Sequence, residues 1–263
     1  MHKSVLLDES IEYLNLNDES NIVDCTLGYG GHSSEILKRI KRGFLFAFDQ
    51  DVNAIESSRK RLNEISNNYE IIYSNFSNLE AELKKRNIEH VDGILYDLGV
   101  SSPQLDEGDR GFSFHQDARL DMRMNQNSSL SAWDVVNEYD YQKLVDIFYR
   151  YGEEKFAPAI AKKIVASRPI DTTLELVEVI KSAVPEKYRR EKHPARKVFQ
   201  AIRIEVNDEL NVFESSIRQA LDMIAIGGQC RSVGSGPRSC YPWPFRARPA
   251  EHEYQQKSGC QQR

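Results

Sequence analysis

Residues 21–32 read Asn21-Ile-Val-Asp-Cys-Thr-Leu-Gly-Tyr-Gly-Gly-His32, and the fold turns on how this stretch begins and ends. It opens on a short apolar run and passes Asp24 into a turn carrying Gly28, Gly30 and Gly31. It then enters residues 31–42, where Ile36, Leu37 and Ile40 recur at helical spacing. A strand that turns through glycines into a helix lets the backbone approach a ligand closely at the helix N-terminus. Asp49 follows Gly28 by 21 residues and closes a second apolar run, residues 44–48. A carboxylate at that point suits a ribose diol.

The surrounding pattern extends this unit. Residues 44–48 are apolar without interruption, as expected of a strand covered on both faces. Helical spacing follows over 52–65, a strand over 70–74, a helix over 79–86 and a fourth strand over 91–98. Strands separated by helices predict parallel βαβ units. The fourth strand delivers Asp97 into a loop of small, polar and turn-forming residues, Gly99-Val-Ser-Ser-Pro-Gln-Leu-Asp106. In open α/β sheets, ligands bind just beyond the carboxyl ends of strands. Phe76, just after the third strand, is a candidate wall for an adenine, and Gln104 is placed to reach cofactor or substrate. Nicotinamide and S-adenosylmethionine sites share this layout, but the strict dinucleotide fingerprint wants a third glycine where this chain has Ser33.

Beyond Pro103 the pattern changes. Residues 105–128 are loop-like, and residues 130–190 carry only helical segments, over 132–137, 141–150, 155–167 and 174–184. A long amphipathic stretch follows, with Phe199, Ile202, Val206, Leu210, Phe213, Ile217, Leu221 and Ile224 at steps of three or four. It reads as two helices broken near Asn207 and packed back on the sheet. The division predicted is a cofactor-binding Rossmann-like part at 1–104, an inserted helical part at 105–192, return helices at 193–228, and an atypical tail at 229–263.

Composition sets bounds on the function. Apolar residues make up 40% and charged residues 29%, an ordinary balance for a water-exposed globular chain. No run approaches the roughly 20 apolar residues needed to span a bilayer, and the N-terminus lacks a secretory pattern. A cytoplasmic protein without membrane association is expected. The four cysteines have no metal-ligand spacing, so no metal is expected, and Cys25 reads as a buried core thiol. Net charge is −5, but between Lys181 and Arg203 eight basic residues face two acids, a local balance of +6 suited to a phosphate backbone.

Five segments carry a resemblance: Asp97–Asp106, Arg-Gly-Phe-Ser-Phe at 110–114, Leu-Asp-Met-Arg-Met at 120–124, Tyr-Gly-Glu-Glu-Lys-Phe at 151–156, and His-Pro-Ala-Arg-Lys-Val-Phe-Gln-Ala-Ile-Arg at 193–203. In this order they resemble the bacterial 16S ribosomal RNA cytosine N4-methyltransferases of the MraW type, from about residue 2 to residue 228. The resemblance implies a class I S-adenosylmethionine-dependent methyltransferase fold, an α/β Rossmann-like and mostly parallel sheet with an inserted helical subdomain. It implies methylation of a cytosine amine in the decoding centre of the small ribosomal subunit. It also implies that Gly30, Gly31, His32, Asp49, Phe76, Asp97 and Gln104 bind S-adenosylmethionine.

Many amino-methyltransferases place an Asp/Asn-Pro-Pro-aromatic tetrad where this chain has Asp97-Leu-Gly-Val-Ser-Ser-Pro103. Asp97 can face the cofactor, the target amine or both, with the cofactor favoured. Ser101 and Ser102 are candidates to touch the base, and Phe112 and Phe114 to replace the missing aromatic platform. Asp106, Arg110, Asp121 and Arg123 read as salt-bridged scaffolding, and residues 117–123 as an internal ion-pair network or an RNA contact. Arg196, Gln200, Arg203 and Asn207 share one helix face, and with Lys197 form either an RNA-binding stripe or a solvated surface. The alternatives are a nicotinamide-dependent oxidoreductase and an inactive RNA-binding remnant.

The end of the chain departs from the family. Family members continue after Gly228 with an apolar strand, a His-Ser-Leu-Glu-Asp-Arg segment and a basic region. Here there is no Leu or Ile beyond Ile226, while Cys230, Cys240 and Cys260 and four prolines fall in the last 37 residues. Residues 229–263 read as a disordered, frameshifted end, with a naturally divergent tail as the alternative. Loss of the late strands predicts an unpaired sheet edge and reduced or absent activity.

Overall fold

A computed structural model describes residues 7–100, 108–191, 193–234 and 245–246. A short helix, α1 (Leu7–Tyr13), precedes the first strand, β1 (Ile22–Asp24). The chain then alternates: α2 (Gly31–Leu37), β2 (Leu45–Asp49), α3 (Val52–Asn63), β3 (Tyr69–Tyr73), α4 (Leu79–Lys84) and β4 (Val91–Leu98). A single 3-10 turn, Phe76–Asn78, leads into α4. Strands β1 to β4 pair in parallel.

Both faces of this sheet are covered, which is why its strands are apolar without alternation. Val23, Phe46, Phe48, Ile94 and Tyr96 enter one buried cluster. Their neighbours Ile22, Leu45, Ala47 and Leu95 enter the opposite one, with Ile11, Ile36 and Leu62 from α1, α2 and α3. Successive strand residues point to opposite faces, so each apolar run supplies two cores at once.

The helical run expected after the fourth strand is present: α5 (Ala132–Glu138), α6 (Tyr141–Arg150), α7 (Ala157–Ser167), α8 (Thr173–Ala183), α9 (Glu186–Glu191), α10 (Ala195–Val206) and α11 (Glu209–Met223). Capping boxes start α5 (Ser131 with Asp134) and α8 (Thr172 with Glu175), giving each helix acceptors for its first free N–H groups. The break near Asn207 falls as expected, with Asp208 in the left-handed conformation between α10 and α11.

The return helices do not both pack on the sheet. Val198, Phe199, Ile202 and Val206 of α10 belong to the same core as Leu144, Phe148, Ile160, Leu176 and Ile180 of the helical part. Phe213, Ile217, Ala220 and Met223 of α11 join the sheet's core. The turn at Asn207–Asp208 redirects the apolar stripe from one core to the other, which periodicity along the chain does not reveal.

The tail also differs from expectation at its start. Residues 224–234 form a strand, β5 (Ile224–Gly234), parallel to β4, with Gly93 opposite Gln229 and Leu98 opposite Gly234. The register shifts between Val91 and Gly93, and Gly227 takes a φ of 86° within the bulge. A short strand, β6 (Phe245–Arg246), pairs antiparallel to β5. The edge of β4 is therefore covered, and the unpaired edge expected there is corrected. Ladder hydrogen bonds use main-chain groups that every residue but proline carries, so Gln229–Gly234 pairs without an apolar sequence. Cys230 is buried and Arg231 lies over the Tyr13 ring at 4.2 Å. The disorder expected for residues 235–244 and 247–263 lies outside the described residues. The sheet order is β3-β2-β1-β4-β5-β6.

Candidate functional site

The carboxyl ends of β1, β2 and β4 converge on one locus. Asp24 ends β1 and is buried; its Oδ1 accepts from the Thr26 N–H at 3.0 Å and its Oδ2 from the Ser33 hydroxyl at 2.7 Å. Ser33 thus stands at the third-glycine position because its hydroxyl clamps the start of α2 to the end of β1. Between them the backbone turns through Gly28 (φ 50°) and Gly30 (φ 75°), a conformation costly for residues with a Cβ. A Cβ on Gly30 would also lie 3.3 Å from Ser58 Cβ.

Asp49 at the end of β2 is joined to this turn. Its Oδ2 accepts from the Gly28 N–H and its Oδ1 from the Asp51 N–H, both at 2.8 Å. Burial pushes its carboxyl up to about 6, against the pull of these N–H donors. Asp97 at the end of β4 donates its N–H to Thr26 Oγ1 at 2.7 Å, and its Oδ2 lies 3.5 Å from Nδ1 of the buried His32. Burial raises Asp97 to about 6; His32 opposes the rise and Asp24 adds to it. Nε2 of His32 is buried and has no hydrogen-bond partner among the described residues. Phe76 is half-buried and meets Tyr96 edge-to-face at 5.6 Å.

Gly30, Gly31, His32, Asp49 and Asp97 are thus brought together at one end of the sheet, and Phe76 follows the adjacent strand. Ser101, Ser102, Gln104 and Asp106 lie outside the described residues. The aromatic platform sought in the loop is packed into the protein. Phe112 is buried in the helical core, and Phe114 stacks on His193 at 4.5 Å and meets Phe199 edge-to-face.

The polar stripe on α10 is largely turned inward. Lys197 donates to the Glu153 carbonyl at 2.6 Å and Gln200 to the Tyr151 carbonyl at 3.0 Å. Arg203 forms a two-pronged pair with Glu209, and Asn207 donates to the Met122 carbonyl. Of this set only Arg196 is exposed. The chain segments 120–124 and 151–153 cross the α10 face and take its polar groups as ties between helices. The scaffolding reading fits Asp121 and Arg123, paired through both carboxylate oxygens.

Asp51, which has no role assigned from the sequence, belongs to the site's frame together with Arg110. Asp51 accepts from Asn53 N–H as the cap of α3, a local signal readable from an Asp before an apolar run. Its buried pairing with Arg110, at 3.1 Å, joins positions 59 residues apart and has no local signature.

Among the described residues no helix is long and apolar enough to cross a membrane, and no group of His, Cys, Asp or Glu could hold a metal ion. Cys25 is buried, and burial raises its thiol well above the ordinary range.

The sequence matches the MraW methylase family over residues 1–233. It is 57% identical over 231 residues to the ribosomal RNA small subunit methyltransferase H of Mycoplasma capricolum subsp. capricolum, covering 87% of this chain and 75% of that one. It is 55% identical over 225 residues to the protein of the same name from Mycoplasma mycoides subsp. mycoides SC, covering 85% and 73%. The solved structure of an rRNA methylase from Streptococcus thermophilus is 24% identical, covers 43% of this chain and 65% of that one, and has a TM-score of 0.30.

Proposed function

The chain belongs to the MraW methylase family, and on that premise we propose that it methylates the N4 amine of a cytosine in the decoding centre of 16S ribosomal RNA, using S-adenosylmethionine. Its fold is that of the class I methyltransferases. The observation that carries the proposal is the convergence of the Gly28–Gly31 turn, Asp49 and the His32–Asp97 pair at the carboxyl ends of adjacent parallel strands.

These residues fit the cofactor. The positive-φ turn at Gly28 and Gly30 lets the backbone approach a ligand closely at the start of α2. The Asp49 carboxylate has two oxygens and about four acceptor sites, and two N–H groups leave room for the hydroxyls of a ribose. Nε2 of His32, buried and without a partner among the described residues, is a polar atom that a bound polar group would satisfy. In this reading Gly30, Gly31, His32, Asp49, Phe76, Asp97 and Gln104 hold the cofactor, and Ser101 and Ser102 touch the base.

S-adenosylmethionine supplies an electrophilic methyl group. The protein's task is set by the cytosine amine, whose lone pair is delocalised into the ring. Acceptors must hold its hydrogens, and the nitrogen must be lined up with the methyl group; this is catalysis by positioning and electrostatics. Asp97, with a carboxyl near 6, is an acceptor matched to the proton the amine releases near neutral pH. The base reaches such a recess only when unpaired or flipped. Arg196 is the exposed cation of α10 best placed to meet phosphate. A cytoplasmic location accompanies this substrate.

The test is transfer of a labelled methyl group to purified 30S subunits, with mapping of the modified base. Label on one cytosine N4 is expected. Absence of transfer together with absence of S-adenosylhomocysteine binding would overturn the proposal.

A further inference from the structure

We infer that Arg110 is a positioning residue through which the inserted helical part holds the cofactor-binding acid in place. The inference rests on the cofactor reading above. Arg110 is almost wholly buried, at 6% exposure, although its charge would ordinarily keep it in water. Its Nη1 donates to Asp51 Oδ2 at 3.1 Å, and its Nη2 donates to the carbonyls of Arg123 at 2.9 Å and Met124 at 3.3 Å. One guanidinium therefore spans two parts of the fold.

On the cofactor side the connection is short. The Asp51 N–H donates to Asp49 Oδ1, and Asp49 Oδ2 receives the Gly28 N–H of the glycine turn. On the other side the segment is tied to the helical core. Met122 donates its N–H to the Arg110 carbonyl at 3.0 Å. Asn207, at the end of α10, accepts from the Met124 N–H and donates to the Met122 carbonyl. A continuous set of hydrogen bonds thus runs from α10 through Arg110 and Asp51 to Asp49.

A buried ion pair is an inefficient source of stability, because desolvation offsets its attraction and a well-packed apolar pair often serves as well. This pair sits two residues from Asp49, and the Asp51 charge is among the causes that push the Asp49 carboxyl up. Arg110 compensates that charge. Without it, the Asp51 side chain loses the donor that ties it to the carbonyls of Arg123 and Met124, and the 49–51 turn is no longer held against the inserted helical part.

The experiment is calorimetric titration of S-adenosylhomocysteine into the full chain and its Arg110→Met, Asp51→Asn and Arg110→Met/Asp51→Asn variants, with stoichiometry reporting the folded fraction. Asp51→Asn keeps a capping acceptor for α3 and carries the test if Arg110→Met does not fold. At least tenfold weaker binding is expected for each single variant. The double variant, which breaks the same tie as either single one, should bind no more weakly than the weaker of the two. Wild-type affinity in the single variants, or additive losses in the double, would overturn the inference. Failure of the wild-type chain to bind would instead overturn the cofactor reading on which it rests.

Discussion

Replacing Ser33 by alanine tests the central structural claim about the glycine turn. The Ser33 hydroxyl donates to Asp24 Oδ2 at 2.7 Å, and both residues are buried, at 0% and 1% exposure. Alanine removes one of the two donors seen on that carboxylate; the Thr26 N–H remains. A hydrogen bond to a charged group contributes about 1.5–3 kcal/mol. Alanine's better helix propensity in the first turn of α2 returns roughly 0.5 kcal/mol. The net loss is about 1–2.5 kcal/mol, which for a chain of this size lowers Tm by roughly 2–10 °C. Because the lost bond closes the turn that carries Gly28 and Gly30, S-adenosylhomocysteine affinity should fall alongside stability. Differential scanning calorimetry and a binding titration on the same preparation measure both. An unchanged Tm with unchanged affinity would show that Ser33 does not clamp the turn, and that its hydroxyl does not explain the missing third glycine.

Four further outcomes follow from the geometry. Gly30→Ala forces a Cβ into a left-handed position beside Ser58, costing about 1–2 kcal/mol; a urea midpoint equal to wild type would contradict the observed φ. The carboxyls of Asp49 and Asp97 are raised to about 6. Raised acids favour the folded state below their unfolded values near 4, so the stability they contribute is lost as pH climbs from about 4 through about 6. The wild-type advantage over Asp49→Asn in urea unfolding should accordingly shrink across that window, and a flat difference would refute the shift. Arg203→Met leaves Glu209 unpaired and should cost about 1–3 kcal/mol of stability without altering RNA affinity of the folded chain. Arg196→Ala should leave stability intact and lower the salt dependence of RNA binding by about one unit; the reverse pattern in the two variants would mean that α10 presents the opposite face.

The parallel strands were legible because each is an apolar run bounded by turn residues, and burial on both faces preserves that signal. Asp49 and Asp97 were legible because a strand places its last residue at the sheet's carboxyl edge whatever the rest of the chain does. Strand β5 has no signature in hydropathy, because its residues pair through the main chain and not through an apolar run. Beside β4, main-chain pairing with a few inward contacts from Cys230 and Val233 was sufficient.

Periodicity acts over a few residues, so the order of elements, the glycine turn and the acids that flank it follow from the chain alone. Which core each return helix joins, and which partner each polar side chain finds, depend on segments that meet only after folding. Arg203, Gln200 and Lys197 look like a free cationic stripe until the 151–153 segment and Glu209 come against them. Arg110 looks like loop scaffolding until Asp51, 59 residues earlier, is brought to 3.1 Å. Buried polar groups take whatever donor or acceptor the packed chain brings within reach, because leaving one unpaired costs more than any local preference.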